Sequence, residues 1–440
     1  MDLKDFFILF LAYILFFYIL VTNNTGIVKF IASSIVLLSA GLYFKQKYNL
    51  SDEMGFILLK ARKGFNIIKN IAKFKNFWNF FSDLGLFFTL GFLGFFLIKW
   101  RNLKEKIFLY VLSIFIITIF LFLYPFSMNF LINLVSPQQE TSSNFNIYVL
   151  IIPYIIGAMG TIYVSILHIA GITLMKLVNI YLFHQQATLH PSATLILPGI
   201  NIPLIEGILA LIFLLVVHES AHAVQVVISK IPLKSSGIVL FGVLPIGAFV
   251  EPDETKLKKS SSKAKSRIAI NGPFINIIFS FLFAFIFFGF LFLTSNYTSS
   301  GCYVLSGPLE KGTLIYSINN ISCSNLTKLP SNTYVELNTN KGILHVKTDA
   351  NGKMNILYVY ISSKTILRYY TDNILQFIYS LLGLLFSLNI IVGTINLLPI
   401  TFFDGSMIIT ALFGDDSWIT KFIIYSTTLC FLIMLLPNII

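Results

Sequence analysis

The sequence predicts a polytopic α-helical membrane protein of about nine spans that carries one small β-rich domain outside the membrane. Three observations predict it. Of 440 residues, 56% are hydrophobic and 11% charged, where soluble domains run near a quarter charged. The apolar residues gather in runs long enough to cross about 30 Å of hydrocarbon, and mean hydropathy is +0.82. One stretch alone, 295–372, is polar over an extended length. A soluble enzyme, a nucleic-acid binder and a disordered chain are excluded together, because no interior of this size hides so much apolar surface. The net charge of +12 sits in a few basic stretches between apolar runs, which reads as membrane topology.

The runs fall near 4–22, 26–44, 80–98, 107–125, 147–168, 203–228, 268–294, 373–396 and 417–436. The first lacks a small-residue cleavage site and is followed at once by another, so it is expected to be retained. The stretch 169–183 is a tenth span or an extension of its predecessor. Basic residues between 229 and 267 place that loop in the cytoplasm, and the basic stretch 45–76 belongs on the same side by the nine-span count. Lys99, Arg101, Lys104 and Lys106 disagree, since they lie one span from 45–76. Four segments result: 1–185, N-terminal helices with a basic amphipathic linker; 186–294, the first half of a membrane core; 295–372, the extracytoplasmic domain; and 373–440, the second half of the core.

Within 295–372 the texture changes to short alternating segments, Thr313 to Ile318, Thr333 to Leu337, Ile343 to Val346 and Asn355 to Ile361, which predict strands. Sequons at Asn296, Asn320 and Asn325 agree with an outside location, and Cys302 and Cys323 are close enough in sequence to pair there.

Chemistry concentrates in LALIFLLVVHESAHAVQVVIS, residues 209–229, where His218, Glu219 and His222 interrupt an apolar helix. Imidazoles at i and i+4 share one helix face and can bind a single zinc ion, with Glu219 beside them to take a proton from water. A His in a membrane helix also occurs as an ordinary satisfied polar residue. Three ionisable groups within five residues, however, each cost about 2.5–3.5 kcal/mol at a helix centre and need compensation, which a metal supplies. A third ligand is expected. Asp404 in NLLPITFFDG is the candidate, with Pro399 breaking the helix and Gly405 permitting a turn. A surface Asp-Gly turn is the other reading.

Together, HESAH at 218–222 and the NxxPxxxxDG pattern from Asn396 to Gly405 resemble the site-2 proteases, zinc metalloproteases that cut substrates inside the membrane. The resemblance implies one zinc ion per chain held by His218, His222 and Asp404, with Glu219 as the catalytic acid-base. RIAINGPFIN, 267–276, is similar to the family's Gly-Pro-x-x-Asn helix, implying that Asn276 positions substrate or steadies the oxyanion. GVLPIGAFVEPDE, 242–254, is similar to a membrane-dipping hairpin whose unpaired strand edge holds substrate, which draws in Gly247 and Phe249; Asn396 joins them as a substrate contact. PGINIPL, 198–204, is similar to archaeal-type members. SGPLEKGTLIYSINNISCSN, 306–325, resembles a PDZ module. The implied partners are the bilayer and single-pass membrane proteins, including membrane-tethered regulators pre-cut by another protease, in a prokaryotic cell membrane with the site towards its cytoplasmic half. The rival reading is a transporter that passes ions along the same His, Glu and Asp groups; it requires ligands staggered along a path.

Overall fold

The computed structural model describes residues 2–22, 26–53, 56–61, 65–135, 147–184, 196–199, 201–297, 300–310, 312–325, 329–361, 368–370 and 372–438. Thr298 and Thr327, which complete two of the sequons, lie outside them. The chain divides into two compact units, one of Met1–Phe122, Phe145–Phe281 and Leu388–Ile440, the other of Leu123–Asn144 and Leu282–Ser387.

In the first unit, α1 (Leu3–Val21) and α2 (Gly26–Tyr48) form an antiparallel pair, capped at one end by Asp5, which is fully buried and takes Lys47 at 2.6 Å. Two strands follow, β1 (Ser51–Glu53) and β2 (Phe56–Ala61), then the short helix α3 (Phe65–Ile71). Helix α4 (Lys75–Leu90) ends at Gly91, whose φ of 57° turns the chain through a 3-10 turn into α5 (Gly94–Leu97). The expected span at 80–98 is therefore not one straight helix. Sixteen residues of helix reach about 24 Å, short of the hydrocarbon thickness of about 30 Å. Phe80 then meets Phe108 and Phe88 meets Phe120 of α6 (Leu103–Val135), so α4 and α6 run in the same direction and the chain between them doubles back. This return carries the basic loop that broke the charge rule back along α4. Arg101 comes back to 2.6 Å from Asp83 of α4, the same carboxylate that Arg267 holds.

Helix α7 (Ile147–Tyr181) absorbs 169–181 as an extension of its predecessor, and it breaks instead at Gly157, φ 69°, where its backbone presses on Thr89 and Gly91. Helix α8 (Leu204–Ile228) carries HESAH. After it come β3 (Leu233–Phe241) and β4 (Leu244–Pro252), then α9 (Glu254–Lys258) and α10 (Ser262–Leu293), which contains Pro273. The antiparallel sheet has the order β1-β2-β3-β4. The resemblance pointed to a hairpin at 242–254; the hairpin is instead 233–252 with its turn at Gly242, and β2 joins it through Ile57↔Leu240 and Ala61↔Ser236. Lys60 reaches Glu251 at 3.0 Å across β3. The basic stretches 45–76 and 229–267 thus share one sheet.

The second unit holds β5 (Gly301–Ser306), β6 (Leu314–Ile318), β7 (Ile321–Ser322), β8 (Tyr334–Thr339), β9 (Gly342–Lys347) and β10 (Leu357–Ile361). All pairings are antiparallel, in the order β10-β5-β6-β8-β9 with β7 on β6. The four strands expected from alternation are present. Cys302 and Cys323 are bonded, closing a sequence separation of 21 residues, worth about 3 kcal/mol by loop entropy. In the same unit Phe130, Phe287, Tyr379 and Phe386 form a chain of ring contacts.

The chain closes with α11 (Asn373–Asn396), α12 (Asp404–Phe413) and α13 (Trp418–Leu435). Among the described residues seven helical stretches are long and apolar enough to cross a membrane; the folded-back one, 75–97, is among the seven.

Candidate active site

Each metal-ligand candidate is delivered by a different local device. His218 and His222 project from one face of α8 because four residues return a helix nearly to the same azimuth. Asp404 arrives from the far end of the chain. Helix α11 stops at Asn396, and residues 397–403 turn through hydrogen bonds such as Phe403 N–H to the Ile400 carbonyl. Asp404 then opens α12, where the exposed N–H groups of a first turn favour a carboxylate. Gly405 is needed for closeness more than for turning, since a methyl there would overlap the Leu397 carbonyl.

The three side chains converge. His218 Nε2 lies 3.1 Å from Asp404 Oδ2, His222 Nε2 lies 3.3 Å from the same oxygen, and the two Nε2 atoms are 3.1 Å apart. Metal bonds of about 2.0–2.1 Å in a tetrahedron set donors about 3.3–3.4 Å apart, so this triangle has the size of one tetrahedral face. The hydrogen bonds behind the rings agree. His222 Nδ1 is 2.7 Å from the Ile268 carbonyl and must donate to it, which leaves Nε2 with a lone pair. Asn276 is fully buried, its amide nitrogen is 3.1 Å from His218 Nδ1, and its Oδ1 is buried with no partner. Exchanging the two ends of that amide, which differ little in shape, lets Oδ1 accept from His218 Nδ1–H and frees His218 Nε2 as well. Two lone pairs and a carboxylate facing one another at such distances repel unless a cation lies among them. The donor set fits a divalent metal, and His218, His222 and Asp404 would hold it.

Glu219 lies beside this triangle and accepts from the Val250 N–H at 3.1 Å. Among the described residues β4 is an edge strand of the sheet, so the carboxylate adjoins that edge strand. Gly247 and Phe249 lie on the same strand, Phe249 with its ring over Gly237. Asn396, half-buried, ends α11 at the start of the turn to Asp404. A cavity of about 660 Å³ opens on the α8 face that also bears Glu219. Ile212, Leu215 and Val216 wall it, with Ser33 and Leu37 of α2 and Gly247 of β4.

One residue of the site went unread in the sequence beyond a possible kink. Gly272 of α10 lies against the donor atoms: a methyl there would overlap His222 Nε2 and sit 2.6 Å from His218 Nε2. The Gly-Pro pair signalled it, but nothing in the spacing said that the glycine faces the imidazoles.

An apolar helical core around two imidazoles, a carboxylate and an adjacent glutamate is the arrangement that a metallopeptidase site requires. The model of peptidase family M50 matches residues 206–436, and the chain belongs to that family, which is the site-2 protease family. An uncharacterized protein of Methanocaldococcus jannaschii is 37% identical over 134 residues, 28% of this chain and 33% of that protein. The chain thus matches about a third of that relative's length. No solved structure matches.

Proposed function

We propose that this chain is a zinc-dependent endopeptidase that hydrolyses peptide bonds within transmembrane segments of other membrane proteins. The observation that carries the reading is the convergence of His218, His222 and Asp404 on one triangle, with Glu219 between it and an edge strand. Donors gathered at one point suit hydrolysis; a transport path needs them spread along it. A bound zinc ion supplies Lewis acidity, polarising a scissile carbonyl and activating water near neutral pH.

The chain's own groups account for the remaining requirements. A peptide bond in a membrane helix is protected because its carbonyl is already hydrogen-bonded and water is scarce. An unwound substrate segment can recover backbone hydrogen bonds by adding to the outer edge of β4. The apolar cavity along α8 gives its side chains a seat. As a water oxygen attacks the carbonyl carbon, Glu219 receives the proton, and as the C–N bond breaks it passes that proton to the leaving amine nitrogen. The ions and amides are excluded from lipid by the surrounding apolar helices.

The basic stretches joined through β2 and β3 support a cytoplasmic location for this end of the core, and the membrane we propose is a prokaryotic cell membrane. We extend the proposal to single-pass substrates, including membrane-tethered regulators first cut by another protease, and to a PDZ-like role for the antiparallel domain in screening them. Purified chain mixed with a single-pass reporter is expected to cleave within the reporter's membrane segment, and a zinc chelator is expected to stop it. Cleavage that persists in chelator, or none without it, overturns the reading.

A further inference from the structure

Apart from the triangle, the described residues include a seam of buried polar side chains where α4, α8 and α10 meet. Helix α4 presents Asn79, Ser82 and Asp83, at i, i+3 and i+4, so all lie on one face. Helix α10 answers with Arg267 and Asn271, and α8 with the Ala221 carbonyl and Gln225, each pair at i and i+4. Arg267 grips Asp83 through two bonds, Nε to Oδ1 at 2.8 Å and Nη2 to Oδ2 at 2.6 Å, and reaches Asn79 Oδ1 at 2.7 Å. Gln225 donates to the same Asn79 oxygen at 3.2 Å. Ser82 donates to Asn271 Oδ1 at 2.7 Å, and Asn271 donates to the Ala221 carbonyl at 3.3 Å. On its outer side Asp83 takes Trp100 Nε1 at 3.0 Å and Arg101 Nε at 2.6 Å.

These bonds fall where the metal ligands need support. Ile268, whose carbonyl orients His222, follows Arg267; Gly272, which lies on both imidazoles, follows Asn271; Ala221 precedes His222. Asp83 is fully buried and Arg267 nearly so, and a guanidinium gripped at two points by a carboxylate is fixed in direction as well as place. Helix α4 lies outside residues 206–436, the part that matches the family.

The geometry points to Asp83 as a positioning residue of the active site. By holding Arg267 it fixes the α10 turn whose Ile268 carbonyl sets the His222 ring, so the N-terminal helices are part of the metal site's support. The inference rests on the metallopeptidase reading. Groups that orient a metal ligand typically change affinity about 10–100-fold when removed.

The test is a titration of the detergent-purified full chain with Co2+, read by visible absorption against a competing chelator, beside the kinetics of reporter cleavage. Asp83→Asn is expected to weaken Co2+ binding about 10–100-fold, to alter the cobalt spectrum, and to lower kcat with KM little changed. Because that variant leaves the Arg267 charge buried without its partner, the double variant Asp83→Leu with Arg267→Met is measured too. It removes both members of the buried pair and leaves Arg101 with Glu105 at 3.4 Å, and it is expected to fold yet retain the weakened binding and altered spectrum. If either variant folds and binds Co2+ with native affinity and spectrum, the proposal fails. If neither folds, the pair determines the fold rather than positions a ligand, and the proposal fails again. A native chain that binds no Co2+ instead overturns the metallopeptidase reading itself.

Discussion

Glu219→Gln is expected to lower cleavage of a membrane reporter at least about 100-fold, the range over which general acid-base groups act, while metal content and membrane insertion stay native. The geometry makes this a clean substitution. Glutamine keeps the size of the side chain and an amide oxygen able to accept from the Val250 N–H, the bond now made at 3.1 Å. The contact between α8 and β4 should therefore survive. Only the ability to take and return a proton is lost. Glu219 is not among the three groups of the triangle, so metal bound per chain should remain unchanged. Reporter cleavage and metal content are measured on the same preparation; native activity in the variant would assign the base elsewhere.

Gly272→Ala is expected to have the largest effect on the metal. A helix interior ordinarily gains by about 1 kcal/mol when alanine replaces glycine, so a loss here has a local cause. The added methyl would occupy the space of His222 Nε2 and crowd His218 Nε2. Helix α10 has little freedom to retreat, because Arg267 pins it to α4 and Asn271 pins it to α8 just before Gly272. At least a tenfold loss of metal affinity, the lower end for perturbing a ligand's support, is expected from chelator competition. Gly289→Ala on the same helix is the control: nothing lies within 4 Å of its added methyl, and metal binding should not change. Equal behaviour of the two variants would mean that the donors do not meet in front of Gly272.

How much of this could be read from the residues depends on the range of the interaction. HESAH was legible because its meaning lies in a spacing of four within one helix, and Asp404 because a carboxylate beside a helix-breaking proline in an apolar context has few explanations. Four strands, β6, β8, β9 and β10, were legible through a period of two, while β5 and β7 were not. The seam was not. Asp83 and Arg267 are 184 residues apart, and alone each resembles a polar interruption near the end of an apolar run. The turn-back after α4 was hidden because hydropathy counts apolar length without direction, and Gly91 gives no sign of its positive φ. The charge of the 99–106 loop did carry the clue. The pairing of β2 with β3 escaped because Phe56–Ala61 has no strict alternation and its partner lies far along the chain.

The central claim is that two imidazoles from α8 and the carboxylate that opens α12 share one metal ion. X-ray absorption at the zinc edge of the purified chain tests it most directly. One zinc per chain in a shell of nitrogen and oxygen at about 2.0–2.1 Å, including two imidazoles, is the result expected, with zinc lost on Asp404→Ala. A shell containing sulfur, or full zinc retention in Asp404→Ala, would contradict it.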